Sequence, residues 1–298
     1  MSHLLFISWL FLIFLATKEF YIKAFLKLIR WNNLLIIAFS QYLVRYFLIE
    51  NARNSIFNDW KFLILVISTL CIAAGGYVIN DYFDVKIDQI NKPKEVFVGR
   101  VIKRRYALLM HQVFSGIGII LGLLLGWRIF LINIFSVSIL WFYASIFKKK
   151  PFSGNVIVAF LTAMSISEIA IFYDPDRIII HIYALFAFFI NLIREIIKDL
   201  EDMKGDAAHG SKTLAIVLGI RKTKNVIYSL LVLFVVLVLI LLAKLSNHNL
   251  WICFGILAMF LMLLVYKLIL ADRKSHFAQL SSICKIIILL GVASIVFV

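Results

Sequence analysis

Long apolar runs separated by short polar connections dominate the pattern of this chain. A helix needs roughly 20 apolar residues to cross the hydrocarbon core of a bilayer. Nine runs of this kind each predict a transmembrane helix, at residues 28–49, 60–80, 105–126, 129–147, 155–173, 178–198, 224–244, 250–271 and 280–298. A transmembrane barrel does not fit, because its strands would alternate apolar and polar positions in short segments.

The pattern therefore predicts an all-α integral membrane protein whose nine transmembrane helices form a bundle. Residues 28–298 make up one domain, because no Pro- or Ser-rich linker divides them. Residues 1–27 are apolar at first and basic afterwards, and we expect them to lie in the membrane interface. The composition agrees, since 63% of the residues are hydrophobic and 16% are charged.

The net charge of +15 reflects membrane topology rather than a nucleic-acid partner. Lys and Arg concentrate in the connections after the second, fourth, sixth and eighth spans. The opposite connections and their edges hold five such residues, namely Arg53, Lys61, Arg128, Arg177 and Lys244. Because basic residues mark cytoplasmic loops, we expect the N-terminus and the four basic loops to face the cytoplasm, with the protein in the cell (inner) membrane.

Two matched groups of carboxylates follow the second and sixth spans. In each group three aspartates occupy relative positions zero, three and seven. The groups, here called the first and second aspartate motifs, are Asn80, Asp81, Asp84 and Asp88, and Asp199, Asp202 and Asp206. This spacing places the carboxylates on one face of a helix. Carboxylates beside hydrocarbon are costly, so we interpret the two motifs as halves of one functional site.

Carboxylate oxygens are ligands that Mg²⁺ prefers, and this ion commonly uses one or two of them while substrate phosphates complete its coordination. We therefore predict that two or three Mg²⁺ ions bind between the motifs and that a diphosphate bridges them. Lys148, Arg194 and Lys198 are candidates to contact the phosphate oxygens, although Arg194 could instead pair with Glu195. Such a site suits ionisation of an allylic diphosphate, because the cations stabilise the departing diphosphate.

The chain resembles the UbiA superfamily of intramembrane prenyltransferases from Arg30 to its C-terminus. Both aspartate motifs match the patterns of that family. Arg30-Trp-Asn-Asn33 is similar to the Arg-Pro-x-Asn of its first helix, without the proline, and Tyr143 to Lys148 is similar to its Tyr/Lys segment. The resemblance implies a central cavity with a lateral opening to lipid, capped by cytoplasmic loops that carry the motifs.

The resemblance also implies roles for individual residues. The six aspartates would be the Mg²⁺ ligands, and Asp84 and Asp202 would serve catalysis together with Lys148. The residues implied to contact substrate are Asn33, Asn80, Lys148, Arg194, Lys198 and Arg30. Residues 191–206 are most similar to digeranylgeranylglyceryl phosphate synthases. Those members transfer a geranylgeranyl group from its diphosphate to the hydroxyl of geranylgeranylglyceryl phosphate, forming an ether lipid.

The segment after the first aspartate motif differs from the family pattern and leaves alternative acceptors open. After Asn91-Lys-Pro93 the family commonly continues with Arg-Pro-Ile, whereas this chain has Glu95-Val-Phe97. An aromatic acceptor, as in quinone, haem or chlorophyll pathways, is the main alternative. An acid-lined cation transporter is a further one, although transporter sites usually lie near the bilayer midplane.

Overall fold

Nearly all of the described chain is helical, as the apolar runs predict. The computed structural model describes residues 21–49, 58–93, 95–245 and 248–298, and residues 21–28 form a helical segment before the first long helix. The helices are α1 Trp31–Leu48, α2 Trp60–Asn91, α3 Arg104–Leu125, α4 Trp127–Ser145, α5 Ser153–Tyr173, α6 Ile178–Ala208, α7 Leu214–Leu245, α8 His248–Leu270 and α9 Lys274–Ala293. Most of the interfacial segment predicted at residues 1–27 lies outside the described residues.

Eight helices of the described chain, α2 to α9, are long and apolar enough to cross a membrane. Helix α1 coincides with the first predicted span but is not among them. Its 18 residues reach about 27 Å, and they include the buried polar side chains of Gln41 and Arg45. The predicted all-α membrane fold is confirmed, whereas the count of nine spans is not.

The surface of the bundle is apolar, as expected for a protein whose solvent is lipid. Leu124, Trp127 and Met262 expose 66%, 67% and 65% of their surface, and many other large apolar residues are exposed as well. Inside, one apolar core joins α6, α7, α8 and α9, and a second joins α1, α2, α5 and α6. Helix α6 belongs to both cores and therefore connects the two halves of the bundle.

Close contacts between glycine and neighbouring helices fix how α2, α3 and α4 pack. A Cβ atom on Gly118 of α3 would lie 2.5 Å from Cγ1 of Ile72 and 3.1 Å from the carbonyl oxygen of Ser68. The Ser68 hydroxyl donates to the Gly118 carbonyl at 2.8 Å, and the Asn133 amide donates to the same carbonyl at 2.8 Å. A larger residue at position 118 would therefore separate the three helices.

The two helices that carry the aspartate motifs are longer than the sequence pattern predicts. Helix α2 continues from the predicted end at residue 80 to Asn91, and α6 continues from residue 198 to Ala208. The motifs therefore lie on helical extensions and not in cap loops, which corrects that part of the expected fold. The apolar pattern ends at the motifs, whereas the helices continue to Asn91 and Ala208.

Helix α7 also begins earlier than expected. The predicted span starts at residue 224, whereas the helix starts at Leu214 and is interrupted at Gly219, which has φ 74° and ψ 169°. A backbone with positive φ favours glycine. The Thr223 hydroxyl donates to the Gly219 carbonyl at 2.8 Å, so the chain resumes its helix directly after the break.

A comparison of two glycines in α3 tests the packing of α2 against this helix. We expect Gly118→Ala to lower the free energy of unfolding by about 1–3 kcal/mol, because the added methyl group overpacks the contact with α2. Gly116 is the matched control, since a Cβ atom there meets nothing within 4 Å. Gly116→Ala should be neutral or stabilising by up to about 1 kcal/mol. Thermal unfolding in detergent measures both, and equal midpoints for the two variants would contradict the packing.

Candidate active site

A clasp between the ends of α2 and α6 holds the two aspartate motifs together. The Asn91 amide donates to the main-chain carbonyl of Asp202 at 3.0 Å and accepts from the main-chain N–H of Gly205 at 2.9 Å. A Cβ atom on Gly205 would lie 2.5 Å from Asn91 Nδ2, so only glycine permits this approach. The Lys274 ammonium donates to the Asn91 carbonyl and adds the start of α9 to the clasp.

Lys148 neutralises the centre of the first motif. Its ammonium forms an ion pair with Asp84, which is buried, and donates to Asn80 Oδ1 at 3.2 Å. The Asn80 amide donates in turn to Asp84 Oδ2 at 2.8 Å. The three side chains thus form a closed network in which every member has a partner of the right polarity.

A short 3₁₀ turn, Phe147–Lys149, delivers Lys148 to this network. Gly154 at the start of α5 makes room for the turn. A Cβ atom on Gly154 would lie 3.0 Å from the Cα atom of Lys148 and 3.3 Å from the Tyr143 ring. The Tyr143 to Gly154 segment singled out in the sequence therefore acts as a support that fixes where the lysine lies.

Arg30 lies beside the first motif at the beginning of α1. Its guanidinium is 3.0 Å from Asp81 Oδ1 and lies over the Tyr77 ring, 4.8 Å from the ring centroid. Asn33, one turn further along α1, is half-buried. No side-chain hydrogen bond connects Asn33 to the motifs within the described ranges, so the structure brings Arg30 to the site and leaves Asn33 at its edge.

Each carboxylate of the second motif has a different environment. Asp199 accepts a hydrogen bond from the Asn155 amide at 2.9 Å. Asp202 Oδ2 lies 3.4 Å from the Lys92 ammonium, while its Oδ1 is buried and has no partner among the described residues. Asp206 is buried, with 6% of its surface exposed. An orphaned carboxylate oxygen of this kind can accept a ligand without breaking an existing contact.

The ends of α2 and α6 bring the two motifs into one region. Asp206 lies within electrostatic range of Lys148, Asp84 and Asp88, all of which belong to the other half of the site. Asp88 is half-buried and is influenced by Asp84 and Lys148. The structure therefore brings the two motifs together, and their role as halves of one functional site stays a prediction.

Two lysines outside the membrane-spanning segments stay positively charged in this region. Burial lowers the pKa of Lys148, but the neighbouring Asp84 carboxylate outweighs burial, so the pKa lies above its ordinary value. The same balance raises the pKa of Lys92, where the opposing carboxylate is Asp202. Both side chains are permanent cations near neutral pH and can attract phosphate.

Arg194 and Lys198 lie one layer deeper than the motifs. Arg194 Nη1 is 2.7 Å from Glu195 Oε1, and the Lys198 ammonium is 3.0 Å from Glu195 Oε2. The pairing of Arg194 with Glu195, one of the two readings of the sequence, is therefore present. Neither cation contacts an aspartate of the motifs through a hydrogen bond or ion pair in the part of the chain that the structure describes.

Sequence reasoning missed the structural roles of Asn91, Asn155 and Gly205. Asn91 is a polar residue at the end of a long helix, which is a sign of a structural role. Its partner Gly205 is 114 residues away in the sequence, so the contact itself could not be predicted. The difference from the family pattern at residues 95–97 has little effect on the aspartate motifs. Glu95 is exposed, and Lys92 supplies a cation to the second motif from the preceding turn.

An apolar cavity lies among helices α5 to α9, away from the motifs. Its walls come from α5, α6, α7, α8 and α9, and they include Tyr183, Phe186, Ile190, Phe234 and Ile287. Aromatic and branched aliphatic side chains of this kind suit a hydrocarbon chain rather than a polar ligand. The site thus combines buried carboxylates, fixed cations and an apolar cavity in one bundle.

This combination matches a known family. Residues 46–286 match the UbiA prenyltransferase family. The chain belongs to that family. It is a multi-pass membrane prenyltransferase, as the sequence predicts, and the cation-transporter alternative is set aside.

Relatives within the UbiA family are similar over most of their length. The digeranylgeranylglyceryl phosphate synthase of Sulfurisphaera tokodaii is 33% identical over 261 residues, which cover 85% of this chain and 90% of that protein. A solved structure from work on digeranylgeranylglyceryl phosphate synthase in membranes has a TM-score of 0.71 and 27% identity, and covers 92% of this chain and 97% of the other. The predicted resemblance to these synthases is confirmed.

A more distant structure shares the fold. A UbiA homologue from Archaeoglobus fulgidus, bound to GPP and Mg²⁺, has a TM-score of 0.63 at 16% identity, and the match covers 91% of this chain and 99% of that chain. The bundle of helices is therefore common to members whose sequences have diverged widely.

Removal of the clasp tests whether it holds the motifs together. We expect Asn91→Ala to lower prenyl transfer at least about tenfold and to reduce the free energy of unfolding by about 1–3 kcal/mol, because it removes both hydrogen bonds that join the ends of α2 and α6. Gln89→Ala is the matched control, since Gln89 is exposed on the same helix. Transfer rates and thermal unfolding in detergent measure the two effects. Full activity in Asn91→Ala would rule out the clasp as a requirement for the site.

Proposed function

We propose that this prenyltransferase moves a geranylgeranyl group from its diphosphate to the hydroxyl of geranylgeranylglyceryl phosphate, forming an ether lipid. The observation that carries the proposal is the pair of aspartate motifs held face to face around Lys148. The similarity to digeranylgeranylglyceryl phosphate synthases supports the choice of substrates. The apolar cavity supports a long hydrocarbon chain as one part of the ligand.

The donor set fits Mg²⁺ as the cofactor. Among the described residues no three His, Cys, Asp or Glu side chains already form a ligand cluster. Mg²⁺ does not need one, because it commonly binds one or two carboxylates and completes its shell with water and substrate phosphate. The partnerless Oδ1 of Asp202 is suited to such a bond. We assign the metal to the faces formed by Asp81, Asp84, Asp88, Asp199, Asp202 and Asp206.

The residues of this chain divide the work of the reaction. The carbon–oxygen bond of the allylic diphosphate breaks, and its electron pair leaves with the diphosphate. Lys148 lies where it can donate to that leaving group, and Asn80 keeps the lysine in position. Bound Mg²⁺ supplies further positive charge to the departing oxygens. The acceptor oxygen then forms the new carbon–oxygen bond and loses its proton.

The basic loops support a cytoplasmic location for this site. The motifs lie at the ends of α2 and α6 that precede the basic connections. Because Lys and Arg mark cytoplasmic loops, we assign the first and second motifs, together with Lys148, to the cytoplasmic side. A water-soluble diphosphate head group would reach them there, while its prenyl chain stays in the bilayer.

Removal of one carboxylate from each motif tests the reaction. We expect Asp84→Ala and Asp202→Ala each to abolish detectable transfer of labelled geranylgeranyl, because both metal binding and neutralisation of nearby lysines depend on these carboxylates. Excess EDTA should have the same effect on the unmodified protein. Asp272→Ala is the matched control, since its side chain is 81% exposed at the same end of the bundle. Thermal unfolding checks that the variants fold.

The choice of acceptor needs its own measurement. Membranes that contain the protein are incubated with labelled geranylgeranyl diphosphate and either geranylgeranylglyceryl phosphate or an aromatic acceptor. We expect the label in the ether lipid alone. Label in the prenylated aromatic product would replace the proposed acceptor, and full activity of both aspartate variants would overturn the proposed reaction.

A further inference from the structure

A second polar layer lies beneath the aspartate motifs, and the chemistry of the donor leaves much of it unused. The layer contains five charged residues from the beginning of α1, the middle of α6 and the middle of α9. We call it the basic layer, and its members are Arg30, Arg194, Glu195, Lys198 and Lys285. Residues on either side of Lys285 in α9 pack in one buried core with Ile193, Ile196 and Ile197 of α6, so Lys285 lies within electrostatic range of Arg194, Arg30 and Glu195.

The basic layer has more positive than negative charge. Asp81 compensates Arg30, and Glu195 is shared by Arg194 and Lys198. Lys285 has no hydrogen bond or ion pair in the part of the chain that the structure describes. Four cations thus face two carboxylates, which leaves two positive charges without a partner.

Unpaired donors at this depth indicate a ligand. Arg194 Nε is buried and has no partner among the described residues. Lys285 is half-buried and lies about 16 Å along the spanning helix α9 from Lys274, given the rise per residue of a helix. An ionisable residue inside a spanning helix is functional by default, because an unsatisfied charge there is costly.

We propose that the basic layer binds the phosphate group of the acceptor lipid, with Lys285 and Arg194 as its main donors. The inference rests on the proposed function, since it assigns a subsite to one of the two substrates. A phosphomonoester carries about 1.5 to 2 negative charges near neutral pH. This charge matches the two positive charges that the layer leaves uncompensated.

The position of the layer fits a phosphate on the acceptor rather than on the donor. Arg194 precedes Asp199 by five residues, or about 7.5 Å along α6. The donor diphosphate belongs between the motifs, where Lys148 is, and a second phosphate can occupy the deeper level. A glyceryl group has only three carbons, so its phosphate stays close to the hydroxyl that attacks the donor.

The same layer explains selection against an acceptor without phosphate. Such a molecule would leave at least one of the two positive charges unmatched within the bundle. Loss of a charged partner is more costly than loss of a neutral one. Lys285 is therefore a residue that sets the acceptor class, whereas the aspartate motifs act on the donor.

Binding measurements without donor or metal test the inference directly. The probes are labelled geranylgeranylglyceryl phosphate and its dephosphorylated form, bound to the purified protein in detergent with EDTA. We expect the unmodified protein to prefer the phosphorylated probe, and Lys285→Met to lower that preference roughly 10- to 100-fold, the range expected for a charge-assisted hydrogen bond. Lys285→Arg should retain most of the preference because it keeps the charge. Lys267→Met is the control, since Lys267 contacts Gln279 on the exposed surface.

Steady-state transfer then separates the two substrates. Lys285→Met should raise the KM for the acceptor and leave the KM for the prenyl diphosphate unchanged. A higher donor KM with an unchanged acceptor KM would overturn the inference, as would equal binding of the two probes by the unmodified protein. If the protein binds the phosphorylated probe selectively but transfers no prenyl group to it, the proposed function fails while the phosphate site stands.

Discussion

Repulsion between six carboxylates at the end of an apolar bundle is the constraint on which the rest of the site depends. Like charges that share a face of a helix destabilise it, and two such helices side by side repel each other. The side-chain amide of Asn91 opposes this repulsion, because its two hydrogen bonds join α2 to the main chain of α6. Lysines 92 and 148 then neutralise one carboxylate in each motif.

Polar and apolar side chains occupy separate levels along the axis of the bundle. Carboxylates and lysines occupy the ends of α2 and α6, the basic layer lies below them, and the apolar cavity lies beyond. Helix α6 takes part in all three levels, with Asp199 in the first, Arg194 in the second and Phe186 in the third. One rigid helix thereby sets the distance between the head group and the chain of any lipid that binds.

Much of this arrangement follows from the sequence, and the remainder depends on contacts between distant helices. The spacing of Asp81, Asp84 and Asp88 is enough to predict a shared face, because helical geometry is local. The extension of α2 to Asn91 is not visible in the apolar pattern, since a helix outside lipid needs no apolar residues. Lys285 is visible as a charge within a span, but its neighbours depend on how α9 lies against α6, which no local pattern encodes.

The contact of Lys274 with the Asn91 carbonyl has a consequence for how this enzyme could be redesigned. Through that contact the beginning of α9 is held at Asn91, the residue that also joins the ends of α2 and α6. Lys285 lies three helical turns away from that contact, so the residue that faces the acceptor can vary while the anchor stays. Specificity and assembly are therefore encoded at separate positions of one helix, which is the condition under which new substrates can evolve without loss of the fold.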